Sequence, residues 1–153
     1  MDRYLKLIPA KDLPKSENGY NLCRFCNKEV LPPKKTMCSP ECVHQILLRT
    51  SNKYLRNCIY QRDKGICSLC NIDTKKIAKE IINADNELKM ELIKKYQIPK
   101  NRRIWIKKCG GGLWDADHIL PVMKGGGCSD LDNLRTLCII CHKEVTKSLK
   151  KNK

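Results

Sequence analysis

The sequence predicts a small α+β fold braced by bound metal rather than by a large apolar core. Three observations carry that expectation. Eleven cysteines occur among 153 residues, and eight of them fall into two regularly spaced sets. Aromatic residues make up only 5% of the chain, with Phe25 the single phenylalanine, so a small domain of this kind needs another staple. Short alternating runs towards the C-terminus read as strands, whereas the middle of the chain has helical periodicity.

Disulfides and metal are the two candidate staples. The opening "MDRYLKLIPAKDLPK" is charged and broken by prolines, unlike a signal peptide. No apolar run approaches the length that crosses a bilayer. An odd number of cysteines does not close a complete disulfide set, so zinc thiolates in an intracellular, reducing compartment are expected. The formal net charge is +15, from 31 Lys+Arg against 16 Asp+Glu. Two four-thiolate zinc sites would lower it only to about +11. Such a surface favours polyanions, nucleic acid before an anionic membrane, although a lysine-rich coding bias gives the same composition.

Residues 1–20, with Pro9, Pro14 and Gly19, read as a loosely ordered arm. Residues 21–50 form a four-cysteine knuckle, and 51–153 form the main domain with a helical insertion at about 73–98. In the knuckle, "CRFCNKEVLPPKKTMCSPEC" turns at Pro32-Pro33, and Ser39 caps a helix over "ECVHQILLRT". Ser51 caps the next helix, "NKYLRNCIYQRDKG", where Leu55, Cys58, Ile59 and Arg62 make one buried stripe and Gly65 is the stop. Asp73 opens a helical pair ended by Pro99, with Ile77, Ile81, Ile82, Leu88, Leu92 and Ile93 on its apolar faces. "RRIWIKK" at 102–108 alternates as a strand does. "LWDADHIL" is a second strand, "LRTLC" a third, and "CHKEVTKSLKK" a terminal helix.

A CxxC turn points both sulfurs at one centre. Cys67/Cys70 with Cys138/Cys141 therefore complete a closed four-sulfur site, the preference of structural zinc. Cys23/Cys26 with Cys38/Cys42 make a second, across a loop that suits a small finger. Both sites are expected to serve folding rather than chemistry. A thioredoxin-like redox pair would need an α/β context that the chain lacks. His44 is a weaker alternative to Cys42 as a ligand; Cys58, Cys109 and Cys128 are left over.

Within this scaffold stand Asp117-His118-Ile119-x-Pro121, then "GGG", then Asn133-Leu134, then "LCIICH" ending in His142. The pattern resembles the HNH nuclease family, with Asp117-His118 as its DH, Asn133 as its N and His142 as its final H. "RDKGICSLC" and "GGGCSDLDNLRTLCIICHKEVT" resemble its zinc-braced subgroup, and "CRFCNKEV…MCSPECVHQ" resembles the form with an N-terminal knuckle. The resemblance covers about residues 20–150. It implies a small zinc-bound ββα-metal (treble-clef-like) core of strand, loop, strand and helix.

The resemblance also implies chemistry. His118 would be the general base that deprotonates a water, a task for which imidazole suits neutral pH. Asp117 and His142 would hold one catalytic divalent ion, Mg2+ or Mn2+, beside two structural Zn2+. Such an ion acts as Lewis acid and template at the phosphate. Asn133 either ligates that ion, orients the base or ties the loop; a "DN" turn also fits a structural Asx role. The implied reaction is nicking of DNA by a monomer, leaving 5′-phosphate and 3′-hydroxyl ends. Arg102, Arg103, Lys107, Lys108 and Arg135 are the candidate phosphate contacts, and sequence specificity is expected to be low. A helicase or a replication or repair protein is the candidate protein partner. The rival from another class is a non-catalytic zinc-dependent DNA-binding or replication/repair accessory module; RNA cleavage is a further one.

Overall fold

Cysteine-centred turns, capped helices and two small antiparallel strand pairs account for most of the order among the described residues. The computed structural model describes residues 8–109, 112–128 and 130–151. The chain divides into two compact units, Met1–Asn57 and Cys58–Lys153. The division falls inside a helix rather than at the expected 50/51.

In the first unit, β1 (Asn21–Leu22) and β2 (Glu29–Val30) pair antiparallel, with Asn21 opposite Val30. The expected loose arm is tied down from Ala10 onward. Leu13 is buried, Leu22 N–H donates to the Pro14 carbonyl, and Asn21 Nδ2 donates to the carbonyls of Ala10 and Lys35. The polar backbone of a strand edge supplied these partners, and composition alone did not reveal them. Residues 1–7 lie outside the described residues. Helix α1 (Pro40–Thr50) starts as expected: Pro40 has no N–H to lose at the first position, and Ser39 Oγ accepts from Cys42 N–H.

Helix α2 (Asn52–Asp63) is capped by Ser51, whose Oγ accepts from Tyr54 N–H. Of its expected stripe, Ile59 is fully buried, but Arg62 is exposed and turns its guanidinium to backbone carbonyls. Asp73 caps α3 (Thr74–Asn83) by accepting from the N–H groups of Lys75 and Lys76. Asp85 caps α4 (Asn86–Lys95). Ile77, Ile81, Leu92 and Ile93 are buried as expected, while Ile82 and Leu88 face solvent.

The segment expected as a strand at 102–108 is helix α5 (Lys100–Cys109). Pro99 does not end the preceding helix. It stands at the head of α5, its carbonyl accepting from Arg102 N–H. Seven residues carry too few apolar positions to separate a two-residue from a 3.6-residue period. Packing decides: Ile106 joins Ile77, Ala78, Ile81, Leu92, Ile93, Ile98 and Leu113 in the unit's largest apolar cluster. The segment expected as an insertion thus supplies much of the core.

The hairpin β3 (Trp114–His118) and β4 (Leu134–Cys138) is antiparallel, with Asp117 opposite Arg135 and His118 opposite Leu134. Helix α6 (Ile139–Lys151) follows directly. Side chains alternate across a strand, so Asp115, Asp117, Arg135 and Leu137 share one face and Trp114, Ala116, His118, Leu134 and Thr136 the other. α6 covers the first face, with Leu137 packed against Cys141. α2 covers the second, with Tyr60 stacked on Trp114 at 6.4 Å and Asp63 bonded to Thr136. No helix among the described residues is long and apolar enough to cross a membrane.

Candidate active site and metal centres

The CxxC turns at Cys23/Cys26 and Cys67/Cys70 are built the same way. Cys23 N–H donates to the Lys28 carbonyl and Asn27 N–H to the Cys23 carbonyl; Cys67 with Ile72 and Asn71 repeats both bonds. Asn27 and Asn71, each directly after the second cysteine, adopt φ of 59° and 57°. Asparagine tolerates this left-handed backbone better than other side chains with a Cβ. The repeated unit is therefore CxxCN, a signal present in the sequence as "CRFCN" and "CSLCN".

The four sulfurs of each set, Cys23/Cys26/Cys38/Cys42 and Cys67/Cys70/Cys138/Cys141, lie within 4.8 Å of one another. In the first set Cys26 Sγ is 3.4 Å from Cys38 and 3.6 Å from Cys42; in the second, Cys70 and Cys138 are 3.7 Å apart. Tetrahedral zinc, with bonds of about 2.3 Å, separates its sulfurs by about 3.8 Å. Burial pushes the Cys23 thiol up, but the backbone N–H groups of Cys26, Phe25 and Cys38 outweigh it and hold it at about 6. Cys67 is held at about 7 in the same way, by the N–H groups of Cys138, Cys70 and Leu69. Cys38, sharing hydrogens with Cys26 and Cys42, is pushed up to about 12, and burial raises Cys141. Adding thiolates to one cluster becomes progressively harder, and a divalent cation lets all four ionise. Both donor sets fit zinc. His44 is engaged elsewhere, its Nδ1 2.8 Å from the Tyr54 hydroxyl.

The hairpin brings the histidine and aspartate positions together. His142, in the first turn of α6, places Nε2 3.8 Å from Asp117 Oδ1. Asp117 Oδ2 accepts from Arg135 Nε and Nη2 at 3.0 and 2.9 Å, which leaves Oδ1 towards His142. A carboxylate oxygen and an imidazole nitrogen this far apart fit a shared divalent ion, since each would bond it at about 2.1 Å. His118 ends β3 on the opposite face, and among the described residues its ring has no hydrogen-bond partner.

Asn133 is turned into the loop that follows His118. Its Oδ1 accepts from Leu120 N–H at 2.7 Å, and its Nδ2 donates to the carbonyls of Leu120 and Gly126. Its own backbone carbonyl accepts from Ile119 N–H. Gly126 is required by this closure: a Cβ there would stand 1.8 Å from the Leu120 carbonyl oxygen.

Two expected phosphate contacts are committed to carboxylates: Arg135 to Asp117, and Arg102 to both oxygens of Asp115 at 2.9 Å. Arg103 is half-buried beside Met90 and Ile93. The side chains of Lys107, Lys108, Cys109 and Cys128 lie outside the described residues. Asp115 was missed at the sequence level. Its Oδ2 lies 3.2 Å from His142 Nδ1, and its position two residues before Asp117 on one strand face was the available signal.

The family model described as HNH endonuclease matches residues 107–148. The chain is 30% identical over 142 residues to the human DNA annealing helicase and endonuclease ZRANB3, an alignment covering 84% of this chain and 13% of that protein. The mouse protein of the same name gives 30% over 144 residues, with 85% and 14% covered. The chain thus spans about an eighth of the length of these curated relatives. The crystal structure of the human ZRANB3 HNH domain resembles it with a TM-score of 0.51 at 31% identity, over 67% of this chain and 97% of that one.

Proposed function

The chain belongs to the HNH endonuclease family, and from that premise we propose that it nicks DNA by divalent-ion-dependent phosphodiester hydrolysis, with low sequence specificity and as a monomer. The observation that carries this reading is the approach of Asp117 Oδ1 to His142 Nε2, 3.8 Å apart, next to His118, whose imidazole has no hydrogen-bond partner among the described residues. His118 takes a proton from the attacking water as general base. The oxygen of that water bonds to phosphorus, the bond to the 3′ oxygen breaks, and the leaving oxygen takes a proton from a second water, giving 5′-phosphate and 3′-hydroxyl ends. Arg135 holds Asp117, and Asn133 ties the loop beyond His118 so that the base keeps its place. A Mg2+ or Mn2+ ion at Asp117 and His142 would supply Lewis-acid polarisation and neutralise charge building on the phosphate. A Zn2+ ion at Cys67, Cys70, Cys138 and Cys141 would brace the fold around this centre.

The basic surface supports contact with the DNA backbone. The names of the relatives join an annealing helicase to an endonuclease, which supports a helicase as a partner. Supercoiled plasmid, incubated with the zinc-loaded protein and Mg2+ or Mn2+, is expected to convert to the open circle and to stay intact with chelator. Plasmid binding without nicking in either metal would favour the accessory DNA-binding module instead, and RNA in the same assay tests the third reading.

A further inference from the structure

Arg102 and Asp115 have no task in the hydrolysis proposed above, yet they are the innermost link to its ion site. Arg102 reaches from α5 to β3, donating to both Asp115 oxygens at 2.9 Å and to the Gly112 carbonyl at 3.3 Å. Asp115 Oδ2 in turn stands 3.2 Å from His142 Nδ1. On the other side of the same ring, Nε2 faces Asp117 Oδ1.

We propose that Asp115 is a positioning residue, held by Arg102, that fixes His142 in its Nδ1–H tautomer and aims Nε2 at the ion shared with Asp117. The inference rests on the reading of Asp117 and His142 as an ion site. A neutral imidazole has one N–H and one lone pair. A carboxylate at Nδ1 claims the N–H there, so the lone pair lies at Nε2. The strand geometry makes the arrangement economical: Asp115 and Asp117 are alternate residues on one face, spaced to address the two nitrogens of one ring. The grip of Arg102, whose Nη2 donates to both oxygens, matters because an unheld carboxylate rotates away from the ring. Arg102 therefore acts through Asp115 and not on DNA phosphate. Such outer partners of a ligating histidine typically change metal affinity by about 10–100-fold when removed.

The test uses the full, zinc-loaded chain. Long-range 1H–15N NMR reads the His142 tautomer, and Mn2+ titration by electron paramagnetic resonance reads the affinity of the ion site. The wild type is expected to show the Nδ1–H tautomer. Asp115→Ala is expected to mix the tautomers and weaken Mn2+ binding by about 10–100-fold. Asp115→Asn keeps an acceptor oxygen and is expected to recover most of that affinity. Arg102→Gln is expected to weaken Mn2+ binding in the same direction by a smaller factor. Zinc content and circular dichroism establish that each variant is folded, and if Asp115→Ala is not, Asp115→Asn and Arg102→Gln carry the test.

A wild type in the Nε2–H tautomer, or one that binds no Mn2+, overturns the proposal. So does an Asp115→Ala protein with unchanged tautomer and Mn2+ affinity, which would leave Asp115 as a link between α5 and β3 only. The two readings fail separately. Nicking that persists while Asp115→Ala alters neither readout removes this inference alone; Mn2+ binding that depends on Asp115 in a protein that never cuts removes the hydrolysis alone.

Discussion

Asn133 gives its whole amide to backbone. One carbonyl oxygen and two N–H bonds close the loop from Leu120 to Gly126, which supports loop closure as its service to the site. The closure has a second requirement at Gly126, where the Leu120 carbonyl leaves no room for a Cβ. Gly126→Ala is therefore expected to lower stability by about 1–3 kcal/mol through overpacking, read as a drop in thermal midpoint. A midpoint equal to that of the wild type would mean that the loop closes differently. At this scale the sequence was informative wherever a spacing brings side chains together, as in the two four-cysteine groups and in the pair Asp117 and His142. It was silent on Asp115, whose importance depends on which ring nitrogen lies across the fold.

Among the elements, the C-terminus of α2 ties down the hairpin through hydrogen bonds. Arg62 donates to the carbonyls of Leu131 and Leu134 at 2.7 and 2.6 Å. Asp63 Oδ2 accepts from the N–H and hydroxyl of the fully buried Thr136. The bonded Arg62 guanidinium, with Thr136 behind it, holds the Asp63 carboxyl below its ordinary 3.8 against the opposing effect of burial. A lowered carboxyl contributes stability that is present in full above its ordinary value and is lost as pH falls through the lowered one. Asp63→Asn is thus expected to cost about 1–3 kcal/mol in chemical denaturation at pH 7, with the same difference at pH 5. A difference that shrinks between pH 7 and pH 5 would contradict the assignment. Caps and strands were legible because Ser39, Ser51, Asp73 and Asp85 act locally. Helix α5 was not, because Ile106 finds its partners on α3 and α4. Arg62 read as part of a buried stripe for the same reason: its carbonyl partners lie about 70 residues on.

For the molecule as a whole, clustered cysteines and apolar burial divide the work. Two four-sulfur centres close the turns, and the isoleucine-rich cluster of α3, α4 and α5 supplies the apolar core that few aromatics left in doubt. On this scaffold, β3, β4 and α6 bring Asp117 and His142 to 3.8 Å of one another, with His118 at the end of the same strand. Membership of the HNH endonuclease family was readable from the joint pattern of DH, N, H and paired cysteines, since no single motif was specific. The central claim is that His118 takes the proton from water in a hydrolysis dependent on a divalent ion. Its most direct test is the single-turnover rate of plasmid nicking in Mg2+ or Mn2+ by wild type and a folded His118→Ala protein that still binds DNA. The account predicts a loss of about 10²–10⁴-fold; turnover by His118→Ala at the wild-type rate would contradict it.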